Sequence, residues 1–355
     1  MDVAGPPPAL LKKTPQPQQE WGEIIAVYLY LAGMGAGSFI IGILLHWSGV
    51  PLNPLGVPSF DLLGIRFHLK EVPILWGPIM VSIGAPFLIL DLGIKWRFMY
   101  ACLNPRTSWV ARGFLILSIF IVVGLLVLAK SIFPFTWLHP ESSLWFIPEM
   151  IAFVFAFATA LYTGILLKAT KSVPLWNTPL LPLLFLASAL STGSMSIILS
   201  TLGTGLLSFH SETIRVLLVV EQAFILIEGF ILYLFLLKRY RSSEAGKASV
   251  RLLISGKLRY VFWQGIIVLG LLFPFALEGI STYFQSVTLL WVAGLSLLTG
   301  GFFLRLGLLR AGIKDQIPMQ RLIEFQYGLV KHPKTLSTGS GRSNPQREGS
   351  HARML

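Results

Sequence analysis

The sequence predicts an all-α, multi-pass membrane protein of about eight transmembrane helices, and three observations carry that reading. Hydrophobic residues fill 54% of the 355 positions and charged residues only 12%, whereas a soluble domain carries about a quarter charged residues. Mean hydropathy is +0.72. Apolar runs of the length needed to cross a bilayer, about 20 residues, recur near 24–45, 72–93, 110–133, 146–168, 179–202, 214–237, 261–279 and 287–309. Threading the chain through eight spans then puts all but four of its 28 Lys and Arg residues, namely Arg66, Lys70, Lys130 and Arg215, on one face. Basic residues collect on the cytoplasmic side, so both termini are expected there. The net charge of +12 is thus a topology signal. It suits acidic lipid headgroups and gives no reason to expect nucleic acid.

Taken in order, residues 1–20 are rich in Pro and Gln and read as a disordered tail without a signal peptide. Residues 21–310 form the transmembrane domain, and 311–355 a basic, partly disordered tail. The first span contains YLYLAGMGAGS, where Gly33 and Gly37 stand four apart, the spacing that lets helices approach closely in lipid. Residues 48–70 are too polar to span and too long for a tight turn. There Phe60, Leu63 and Phe67 recur at helical spacing, which predicts a segment lying along the membrane surface.

The second span ends at Asp91, with Lys95 one turn later at ion-pair spacing. The following loop carries Asn104, Arg106 and Trp109 on the same side of the membrane as the hinge between spans four and five, a surface for a docking partner or lipid headgroups. Trp176, within that hinge, joins the set. Tyr162 precedes the hinge as a phenol in apolar sequence, where a buried hydroxyl needs a partner or a ligand. Pro174, Pro179 and Pro182 fix the re-entry of the chain into the membrane.

In the sixth span Glu221 and Glu228 are seven apart and share one helical face. Carboxylates at that depth face a bundle interior, either as interhelical hydrogen-bonding groups or as proton carriers. Glu149, opening the fourth span, is a candidate entrance for protons on the opposite face. Cysteine and histidine usage excludes other redox chemistry within the chain. Cys102 stands alone, and all six histidines fall at span ends, in loops or in the tail. That leaves no disulfide, no thiolate set for an iron–sulfur cluster and no axial ligands for a membrane-embedded haem.

The ordered set YLYLAGMGAG, DLG at Asp91 to Gly93, LNPRTSW at Leu103 to Trp109, and YTGILL followed by PLWNTPLLPLLF resembles the NrfD or PsrC family of polysulfide reductase and nitrite reductase membrane subunits. The resemblance covers roughly the first five spans. It implies two four-helix bundles in a prokaryotic inner membrane, carrying no metal and binding a quinone or quinol, menaquinone or ubiquinone. It further implies an adjacent ferredoxin-like iron–sulfur subunit and a catalytic subunit such as a molybdopterin oxidoreductase. The family's quinone-site tyrosine carries over to Tyr162, and a polar first-span position to Tyr28, with Asp91 as the nearest residue to resupply protons. Family members place the hinge on the outer side, whereas the basic bias here places it in the cytoplasm. Two other classes fit the same spans, a secondary transporter and a purely structural anchor.

Overall fold

The computed structural model describes Gln18 and residues 21–49, 59–62, 65–68, 75–90, 108–132, 143–204 and 209–314. Asp91, Asn104 and Arg106 lie outside the described residues, as do both tails apart from Gln18 and residues 311–314. Nine α-helices are described: α1 (Glu23–Trp47), α2 (Gly77–Leu90), α3 (Trp109–Ile132), α4 (Phe146–Ala169), α5 (Leu180–Gly203), α6 (Glu212–Tyr240), α7 (Glu244–Ile254), α8 (Phe273–Phe284) and α9 (Val287–Arg310). A π-helical segment, Val261–Leu272, runs straight into α8. Among the described residues, seven helical stretches are long and apolar enough to cross a membrane.

The eighth crossing is α2. Its 14 residues extend about 21 Å, short of the roughly 30 Å hydrocarbon core. Both ends of the helical body nevertheless lie on one side of the membrane. Arg310, at the end of α9, pairs with Glu23 at the start of α1, and Gln18 donates its backbone N–H to Gly312 O at 2.8 Å. An even number of crossings follows from that closure, and α2 is the apolar helix that remains beside the seven long ones. It starts at half depth, because a Cβ on Gly35, near the middle of α1, would lie 2.6 Å from Gly77 O.

Helices α1 to α4 close one four-helix bundle, and α5, α6, the π segment with α8, and α9 close a second. The seam is α1 against α5. A Cβ added at Gly37 would overlap the backbone of Ala189, and one at Gly193 would overlap that of Gly37 and Ser38. This is the close backbone approach for which small residues are used in lipid. The outward faces are apolar: on α6, Val219 is 66% and Phe230 63% exposed, while Glu221 is 0% and Glu228 5% exposed.

Two expectations need correction. Residues 59–68 form no surface helix but an antiparallel hairpin, β1 (Ser59–Leu62) and β2 (Ile65–His68), with Leu62 opposite Ile65 and Ser59 opposite His68. The alternation Phe60, Leu62 and Ile65, Phe67 has period two, and β-branched and aromatic residues around a Gly-containing two-residue connection favour a hairpin. The sixth loop, expected only to be basic, contains α7. Its signal was local, since the Ser243 side chain accepts from Gly246 N at 3.0 Å as an N-cap, with Glu244 in the first turn. Val250 and Leu253 are buried on its inner face.

Candidate functional site

The hinge is braced by α6 and by α9, and the N-terminal segment is tied to the same end of α9. Arg239, at the end of α6, donates from Nη1 to Pro174 O at 3.0 Å and Asn177 O at 3.1 Å. Trp176 donates its indole N–H to Leu308 O at 2.9 Å and packs against Trp21 with ring centroids 5.7 Å apart. Gln18 donates to Leu309 O at 3.0 Å. Trp176 is fully buried, so it holds the hinge against α9 and presents no surface to a partner, unlike the role expected from its loop position.

Above this floor stands Tyr162. Its ring lies so close to Gly113 of α3 that any Cβ there would overlap the phenol, and its hydroxyl donates to Trp109 O at 3.0 Å. Glycine at 113 is thus the seat of the ring, and the Trp109 carbonyl at the start of α3 sets the direction of its hydrogen. Tyr28 of α1 is near enough for the two phenols to interact electrostatically. It is completely enclosed, yet its hydroxyl has no hydrogen-bond partner among the described residues. Buried hydroxyls are almost always satisfied. Trp109 itself is 44% exposed, with the Arg112 guanidinium 4.5 Å from its ring centroid, which leaves this rim of the site accessible at the hinge side.

Glu149 sits elsewhere. It accepts from Trp47 Nε1 at 2.8 Å and from Lys130 Nζ at 2.9 Å, with His46 Nε2 at 3.6 Å, all at the far end of the first bundle. Glu221 and Glu228 belong to the second bundle, so the structure does not bring the three carboxylates together.

What joins Glu221 and Glu228 is a set of residues that hydropathy and spacing do not single out. Ser191 of α5 donates to Glu221 Oε1 at 3.2 Å. Ser188, three residues earlier on the same helix, faces Glu228 and accepts from Arg305 Nη1 at 2.6 Å. Arg305, near the end of the last expected span, is 0% exposed. Its guanidinium lies between the rings of Tyr30 and Phe185, at 5.6 and 5.4 Å. Glu278 of α8 is also 0% exposed and stands beside Glu221 and Gln222. It was missed because the seventh span, expected to end at 279, continues to Phe284 and draws the carboxyl inside.

Comparison with known proteins places the whole helical region in one family. Residues 13–315 match the family model described as polysulphide reductase, NrfD. The sequence is 32% identical over 275 residues to the C subunit of polysulfide reductase from Wolinella succinogenes, covering 73% of this protein and 82% of that one. It is 27% identical over 313 residues to protein NrfD of Escherichia coli, covering 82% and 94%. A protein NrfD homolog of Haemophilus influenzae is 26% identical over 275 residues, covering 73% and 83%.

Proposed function

The chain belongs to the NrfD polysulphide reductase family, and from that premise we propose that it is the quinone-reacting membrane subunit of a multi-subunit respiratory oxidoreductase. The observation that supports this most is the orphan hydroxyl of Tyr28, enclosed beside Tyr162. A quinone carbonyl or quinol hydroxyl is the kind of polar group, carried on an apolar body, that satisfies it. Bound there, a quinone supplies two-electron chemistry coupled to two protons. The protein's part is orientation and hydrogen bonding. Because Tyr162 gives its hydrogen to Trp109 O, its oxygen is left as an acceptor for a ligand hydroxyl, whereas Tyr28 is free to donate. Asp91 is assigned the resupply of protons to this pair.

The electron donor or acceptor is an iron–sulfur subunit of ferredoxin-like type, docked at the hinge side over Asn104, Arg106 and the exposed ring of Trp109. A catalytic subunit, such as a molybdopterin oxidoreductase, completes the complex. Purification of the tagged protein from its native membranes is expected to bring down a cysteine-rich iron–sulfur protein and extractable menaquinone or ubiquinone in near-equal amount to the tagged subunit. Recovery of that subunit with neither would sink the assignment.

Glu221 and Glu228 are assigned to proton movement linked to turnover. A secondary transporter is the second reading, favoured by the half-depth start of α2, since transporters break helices near the midplane. Solute accumulation by vesicles without quinol would select it.

The hinge side is assigned to the cytoplasm on the strength of the basic residues, which include Lys247 and Arg251 on α7. Lys247→Cys, in a Cys102→Ser background, is expected to react with permeant thiol reagents only. Labelling of intact cells by an impermeant reagent would reverse the orientation.

A further inference from the structure

Glu278 stands against Glu221 and the side-chain amide of Gln222, yet neither of its oxygens nor Glu221 Oε2 has a donor in close hydrogen-bond geometry among the described residues. Carboxyl oxygens so weakly served inside a bundle are costly. A single proton held between the two carboxyls satisfies two of them.

A hollow lies about one helical turn from the pair along both helices. One turn beyond Glu278, Thr282 donates to Glu278 O at 2.9 Å, and three residues before Glu221 stands Leu218. Both line a hollow of about 150 Å³ with Phe209, His210, Arg215 and Gln285, at the end of the second bundle away from the hinge. Gln285 closes α8 in the left-handed region, at φ 53°, where glycine is usual. Its amide donates to Thr282 O at 2.6 Å, which pins the rim of the hollow. On the inward side, Ser191 reaches Glu221 and Ser188 reaches the Glu228–Arg305 pair.

We propose that Glu278 and Glu221 form the proton-uptake station of the second bundle, fed through the hollow of His210, Arg215, Thr282 and Gln285 and emptied past Ser191 and Ser188 toward Glu228. The proposal rests on the reading that Glu221 and Glu228 move protons. It replaces Glu149 as the entrance, because Glu149 is tied to Lys130 and Trp47 in the other bundle. Each step moves one proton between oxygen atoms and no electrons. The entrance accounts for three facts together: the weakly served oxygens, the polar hollow about one turn away and the serines that continue inward.

Three measurements on the assembled complex in liposomes test it. Glu278→Gln is expected to slow proton uptake from the hollow side by about 10²-fold while the complex stays assembled. Infrared difference spectra of the parent protein are expected to show a protonated carboxyl band that Glu278→Gln removes. Thr282→Cys, with Cys102→Ser, is expected to react with a charged thiol reagent added on the hollow side. An unreactive Thr282→Cys, or a Glu278→Gln complex with unchanged proton uptake and an unchanged carboxyl band, overturns the proposal. The infrared and labelling results are independent of quinol turnover, so they stand or fall separately from the quinone assignment.

Discussion

Tyr162→Phe is expected to lower quinol turnover by about 10²-fold, the scale of a positioned proton-transfer group, while leaving the complex assembled. The aromatic ring stays on its Gly113 seat, so packing is kept. What disappears is the hydroxyl bonded to Trp109 O at 3.0 Å. That loss costs about 1 kcal/mol of stability, too little to release a subunit. Tyr28→Phe separates the functional claim from a structural one. Its hydroxyl has no protein partner among the described residues, so removing it is expected to leave the melting temperature of the purified complex equal or slightly raised. A concurrent fall in turnover then assigns the hydroxyl to ligand. If the phenols hold the ligand equally in ground and transition states, KM rises and kcat is preserved; if they act in proton transfer, kcat falls. Both kcat and KM within twofold of the parent for both variants would refute the site.

The helices were legible because lipid imposes one rule: each crossing needs a run of apolar residues with its backbone satisfied internally. Seven of the eight expected spans therefore correspond to long helices, and even the close seam at Gly37 was foreshadowed by its spacing from Gly33. The other corresponds to the shorter apolar helix α2, and the remainder of the expected run, 72–74 and 91–93, lies outside the described residues. The hairpin was lost to period, since Phe60 and Phe67 are seven apart and suit a helix as well as facing strands.

The site was less legible than the fold. Tyr162 stood out through its neighbours, but Gly113, which seats its ring, lies 49 positions away and carries no chemical signal of its own. Charged residues near span ends pose the opposite problem. Arg239, Glu278 and Arg305 all look like groups reaching for the headgroups, and only the packing of four helices shows that they point inward. Trp176 inverted the same way, from a loop residue to a fully buried brace.

Arg305→Leu is expected to destabilise the protein by about 3 kcal/mol, the scale for removing the charge that compensates a buried carboxylate, here Glu228, which Arg305 influences electrostatically, read as a lower unfolding midpoint in detergent. The guanidinium is wholly enclosed. Its Nη1 serves Ser188 Oγ and Gly301 O, and the rings of Tyr30 and Phe185 flank it. Leucine fills much of the volume, so packing loss is modest; the damage comes from Glu228, left in the bundle interior with its nearest positive charge gone. Arg305→Leu combined with Glu228→Leu is therefore expected to recover most of the loss, because replacing both buried charges with apolar groups is often neutral or better. A coupling between the two substitutions of less than about 0.5 kcal/mol would mean that Arg305 acts through Ser188 and the aromatic rings alone. The recovered double variant is the sharper functional probe. Stable but without the Glu228 station, it should still turn over quinol at Tyr162, and a protein that reduces or oxidises quinone while moving no protons would separate the two bundles by task.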